Sequence, residues 1–167
     1  MESQITESKI LADAFQSVRN LTKLYLSKFE GIDIFQNLEF NGKKFNSAYW
    51  LMGHLAWSEH YLLVEGLGGK KMDIPWLEKF SLGAKPDDTD RSPAYGEILK
   101  TLDKVHDSAM KQMLSLSGDE LDKPNMIDAT FGGKNTKRAV ILHAIRHEPA
   151  HAGQLSWILK ANGITFV

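Results

Sequence analysis

The chain contains no cysteine, which excludes disulfides, zinc–thiolate sites and a cysteine nucleophile. Charge of either sign is not in excess. Its 20 basic and 21 acidic residues leave a formal net charge of −1, so nothing points to a nucleic-acid or polyanion partner. No apolar run approaches the ~20 residues that a bilayer span requires. The start, Met1-Glu2-Ser3-Gln4, lacks the basic and apolar stretches of a signal peptide, and the expected location is cytoplasmic. Internal repeats and low-complexity tracts are also missing. What remains is 167 residues of ordinary globular composition, 43% hydrophobic and 25% charged, which suits one domain (1–167) around one core.

Apolar periodicity predicts four helices. The first runs from about Ile5 to Phe29, with Leu11, Phe15, Val18, Thr22, Tyr25 and Phe29 on one face and Ala14 and Leu21 widening it. Residues 31–46 connect it to the next helix, with Asn41-Gly42 as the turn. The second helix is capped by Asn46 or Ser47 and ends at Gly66. It places Trp50, His54, Trp57, Tyr61 and Val64 on one aromatic-rich face and turns His60 to another, surface side.

Residues 66–92 form a long connection. Trp76, Leu77, Phe80 and Leu82 are expected to pack down toward a pocket mouth, and Pro86 through Asp90 to stay exposed. Ser92-Pro93 reads as the cap and first residue of the third helix, which ends at Gly118-Asp119. Thr136 caps the fourth, which stops at Asn162-Gly163. Four amphipathic helices without a convincing strand predict an all-α fold, a helical bundle.

The fourth helix carries half of the six histidines. His143, His147 and His151 are spaced by four, so each step drifts only about 40° around the helix and the three form one stripe. Neighbours about 6 Å apart can share one metal ion. Val140 and Leu142 before it and Leu155, Ile158 and Leu159 after it put the stripe on or beside the core-facing side. Two adjacent buried imidazoles must both find partners, and a metal satisfies both at once. With His54 from a facing helix they make three neutral nitrogen ligands and leave one coordination position open, as in catalytic rather than structural zinc sites. His143 is left to line the pocket, support a ligand or pack. His106 reads as a packing residue.

His147-Glu148-Pro149-Ala150-His151 also matches H-E-x-x-H, the zincin signature with glutamate as base. Pro149 lies inside the motif and removes a helical hydrogen bond to Ile145. No histidine or glutamate follows His151, and the sheet strand of a zincin is missing. The protease reading therefore fails while the ligand pair survives. Glu148 is open to two roles, a general base or a solvated surface charge.

Residues 50–59, WLMGHLAWSE, residues 118–124, GDELDKP, and above all residues 142–155, LHAIRHEPAHAGQL, resemble the DinB-like superfamily of metalloenzymes over nearly the whole chain. The resemblance implies an up-down-down-up four-helix bundle, often a homodimer. It also implies a divalent metal, nickel or zinc, held by His54, His147 and His151. Relatives of this kind include transferases and isomerases that use a low-molecular-weight thiol, which makes a thiol-dependent S-transferase the leading expectation for the small-molecule chemistry. A hydrolase that activates water, with Glu148 as base, and a non-catalytic metal-binding bundle are the alternatives. Pro149 departs from the pattern and is expected to kink the helix. Gly153 is expected to let a neighbouring helix approach. Gln154 is expected to bond within the core or to a ligand.

Overall fold

Three of the four long helices open on a side-chain hydroxyl. In this computed structural model, which describes residues 5–85, 87 and 89–165, Thr6 caps α1 (Glu7–Leu26), Ser47 caps α2 (Ala48–Glu59) and Thr136 caps the last helix, α5 (Lys137–Ala161). Each hydroxyl accepts from the backbone N–H three residues on, satisfying a donor that the first helical turn leaves free. The start Met1 to Gln4 lies outside the described residues, as do Pro86 and Asp88 in the stretch read as exposed loop.

The remaining long helix, α3 (Tyr95–Ser115), opens two residues later than the sequence suggests, with Ala94 as its cap. Pro93 is buried instead, and its carbonyl accepts from the Tyr49 hydroxyl at 2.9 Å. Gly118 does not end α3. It begins a one-turn helix, α4 (Gly118–Leu121), capped by Ser117. Between α1 and α2 the Asn41-Gly42 turn closes a small antiparallel hairpin, β1 (Glu39–Phe40) and β2 (Lys43–Lys44), that the sequence reading lacked. Both turn residues have positive φ, as a two-residue hairpin loop requires. After Glu59 the α2 helix continues as a π-helical stretch, His60–Glu65, before Gly66. A 3₁₀ segment, Pro75–Phe80, lies in the following connection.

Both α1 and α2 pack against α3 and α5, while α1 and α2 do not pack directly on each other. The apolar residues divide into two clusters. One joins the C-terminal ends of α1 and α5 to the N-terminal halves of α2 and α3, through Leu26, Leu51, Leu55, Ile98, Leu102 and Leu155. The other joins the opposite ends, through Leu11, Phe15, Leu63, Val105, Met113 and Ile141. Arg19, Glu59 and Glu148 are buried along the chain between the two sets, and His106 is buried beside Val105 of the second.

Several faces sit differently from the sequence reading. On α1 the inward face is Ser8, Leu11, Ala12, Phe15, Arg19, Thr22 and Leu26, so Arg19 replaces Val18 in the core, and Ala14 and Leu21 are exposed. The physical reason is that two carboxylates wait inside for the guanidinium. His60 is buried, not a surface residue. Its Nε2 accepts from the Met72 backbone N–H at 3.0 Å and its Nδ1 lies 3.1 Å from Glu65, so it holds down the connection that follows it. Leu77 and Phe80 pack down as expected, but Leu82 is exposed.

Two glycines differ in what surrounds them. A Cβ on Gly53 would overlap the Phe80 ring, whereas a Cβ on Gly153 meets open space, so Gly153 does not serve close helix approach. Gly153→Ala is expected to stabilise the protein by about 0.5–1 kcal/mol, because glycine in a helix interior costs that much in backbone entropy. Gly53→Ala is expected to destabilise it by about 1–3 kcal/mol through overpacking. Chemical denaturation midpoints of the two variants check both signs.

Candidate metal centre

α2 and α5 together bring His54, His147 and His151 to one point. One nitrogen from each imidazole lies within 4.8 Å of the others, so the group could hold a metal ion. His54 comes from the middle of α2 and is buried. The other two come from the middle of α5 and are half-buried. The ring centroids of His54 stand 5.4 Å from those of His147 and 4.9 Å from those of His151. Despite Pro149 between the pair, α5 is one unbroken helix. Proline forfeits only its own N–H, so the i, i+4 relation of the two histidines survives.

The outward-facing nitrogens are already occupied in two of the three rings. His54 Nδ1 lies 2.7 Å from the Phe80 carbonyl, which can only accept, so Nδ1 carries the proton and Nε2 presents its lone pair. His151 Nδ1 lies 2.7 Å from Gln154 Oε1, with the same consequence. His151 Nε2 and His147 Nε2 are 3.2 Å apart. Two nitrogens each about 2.1 Å from a tetrahedral cation stand about 3.4 Å apart, so this edge fits a shared ion. Carbonyl and amide partners that fix the tautomer and aim the free nitrogen are the usual support of metal-binding histidines.

Stacking reinforces the aim of His54. Trp50 lies nearly parallel to it at 4.7 Å and Trp57 lies beside it at 5.6 Å. Phe80 comes from the 3₁₀ segment, and its ring packs onto α2 where residue 53 has no Cβ to obstruct it. The connection expected at the pocket mouth thus reaches His54 through a carbonyl.

The electrostatics favour neutral rings. Burial pushes His147 down to about 3, with His151, His54 and His143 adding to the effect. Burial also lowers His54, against the opposing bond to Phe80, and His151, against the bond to Gln154. Neutral imidazole is the form that binds metal.

The remaining candidates lie elsewhere. His143 is outside the three-histidine group. It stacks on Phe131 at 3.9 Å and 13°, with its centroid 5.5 Å from that of His147. Glu148 is not a solvated charge: it is 3% exposed, and Oε2 accepts from Arg19 Nη2 at 2.9 Å. Burial pushes its carboxyl up while Arg19 opposes the shift. His106 is more than a packing residue. Its Nδ1 donates to Glu59 Oε1 at 2.8 Å and its Nε2 meets Gln16 Oε1 at 3.1 Å. The sequence reading missed Arg19 and Glu59 altogether. An arginine on the buried arc of an amphipathic helix was the available signal.

Fold and site define an all-α protein with a three-histidine group suited to a metal ion. The model of the DinB superfamily matches residues 36–155, well over half of the chain and all three of these histidines, and the chain belongs to that superfamily. No curated protein matches it. No helix among the described residues is long and apolar enough to cross a membrane.

Proposed function

We propose that this protein is a metal-dependent enzyme in which His54, His147 and His151 hold a divalent cation, zinc or nickel, and that it transfers a small thiol to an electrophilic substrate. The observation that carries the reading is the pair of Nδ1 hydrogen bonds, from His54 to Phe80 and from His151 to Gln154, which leave lone pairs turned toward one point. When bound, such a cation supplies Lewis acidity that stabilises a deprotonated thiol or water. The chain's own residues hold the three imidazoles in the neutral form and stack Trp50 and Trp57 against His54.

A groove of about 720 Å³ is lined by Gln154, the partner of His151, together with Phe40, Phe45 and Trp157. Its aromatic walls suit an apolar organic substrate. Thiol transfer is favoured over hydrolysis because Glu148, the one carboxylate within the histidine motif, is buried and accepts from Arg19, an arrangement that does not support a role as base. The framework is read as a four-helix bundle of up-down-down-up direction. Its support is the way each apolar cluster joins the C-terminal ends of α1 and α5 to the N-terminal halves of α2 and α3, or the reverse.

The test is elemental analysis of untreated protein, followed by a screen of several cellular thiols with electrophilic acceptors. About one zinc or nickel per chain together with thiol consumption supports the reading. Metal held with no thiol turnover, and with no exchangeable ligand, reduces the protein to a non-catalytic metal-binding bundle.

A further inference from the structure

We propose that Arg19, which donates nothing to the metal, is the positioning residue that sets its site by fixing α2 and α5 against each other. This inference rests on the metal reading above. Arg19 lies on α1, is 0% exposed, and reaches across the core with one nitrogen, Nη2, to two carboxylates. One is Glu59 Oε2 on α2. The other is Glu148 Oε2 on α5, at 2.9 Å. Those are the two helices that carry the three histidines. Glu59 follows His54 by five residues, and Glu148 directly follows His147. Glu59 Oε1 extends the chain of contacts to His106 on α3, whose other nitrogen returns to Gln16 on α1. Every long helix therefore contributes to one polar layer.

The layer's place in the fold matters as much as its bonds. On α1, α2 and α5 its charged residues Arg19, Glu59 and Glu148 stand between the residues of the two apolar clusters. Apolar contacts are non-directional and tolerate rotation or sliding of a helix by a fraction of a turn. A guanidinium between two carboxylates does not, because its hydrogen bonds have fixed directions. α1 and α2 do not pack directly, so α2 is tied to α1 across the core by the direct Arg19–Glu59 pair and by the relay from Glu59 through His106 to Gln16.

Stability alone is a poor explanation for the layer. Buried ion pairs are often matched or bettered by apolar side chains of similar volume. Here the guanidinium is also incompletely satisfied, since Nε and Nη1 find no hydrogen-bond partner among the described residues. A half-satisfied polar layer is a costly way to hold helices together and an effective way to fix their register. A metal site needs that register, because ligand distances must hold to about ±0.2 Å.

The test uses the full chain, with Co²⁺ and Zn²⁺ as probes and two variants. The triple variant Arg19→Met, Glu59→Gln, Glu148→Gln removes the charges together and leaves none of them buried alone. It is expected to keep the native far-UV circular dichroism. Its dissociation constants for both ions should rise by about 10–100-fold, the range for loss of outer support to a metal site, and its visible Co²⁺ spectrum should shift. Arg19→Lys keeps a shorter cation between the carboxylates, and its affinity should fall between the two. If the triple variant does not fold, Arg19→Lys carries the test alone. A folded variant with wild-type dissociation constants and a wild-type Co²⁺ spectrum overturns the positioning role and leaves the metal reading intact. Wild-type protein that takes up neither ion overturns both.

Discussion

Loss of any one of His54, His147 or His151 to alanine is expected to weaken divalent-metal binding by more than about 100-fold, while Gln154→Ala weakens it by about 10–100-fold. The grading follows from the geometry. Each histidine supplies one of three converging nitrogens. Gln154 only fixes the tautomer and ring angle of His151 through a 2.7 Å bond. His60→Ala serves as the informative control. It is buried and holds the Met72 backbone, so it should lower the melting temperature yet leave metal affinity unchanged. Isothermal titration with zinc on all five variants reads the order directly. Equal affinity in the three ligand variants and wild type would remove the assigned site.

The metal-free protein should lose stability steeply on mild acidification. His147 is held down to about 3, and His54 and His151 are also lowered, in each case first by burial. In the unfolded chain all three return to about 6.5. Between about pH 6.5 and 3 the unfolded state thus binds more protons than the folded state. Stability therefore rises with pH across this window, is fully present above 6.5, and is lost as pH falls toward the folded values. Each group contributes a slope of at most about 1.4 kcal/mol per pH unit, reduced where water reaches the half-buried rings.

Saturating metal should reinforce the folded state by about 4 kcal/mol at a thousandfold excess over its dissociation constant, and chelation should reverse this. Urea titrations of chelated protein from pH 7.5 to 5, with and without zinc, measure both effects. A midpoint that does not move between pH 7 and 5 in the chelated protein would show that the imidazoles are not held neutral by the fold.

The pieces that were readable in the sequence are those that local rules encode. Ser47 and Thr136 mark helix starts because a hydroxyl at that position captures a backbone donor, whatever the rest of the chain does. The four-residue spacing of His147 and His151 places them together on any helix, and Pro149 does not alter it. By contrast, Ser92-Pro93 looked like a helix start by the same rules. The distant Tyr49 hydroxyl instead takes the Pro93 carbonyl, and the helix opens at Tyr95. His60 looked solvent-facing by helical angle, but the following connection folds back over that side of the helix and the Met72 backbone N–H donates to its ring.

Sequence alone thus determined the helical class, the caps of α2 and α5 and the histidine pair, because each depends on residues within a turn or two of one another. Tertiary structure decided which groups turn the imidazoles and which charge lies inside. The Phe80 carbonyl meets His54 across 26 residues. Arg19 meets Glu148 across 129. Such partners are chosen by how the helices rotate and stack, and only packing of the whole chain fixes that rotation.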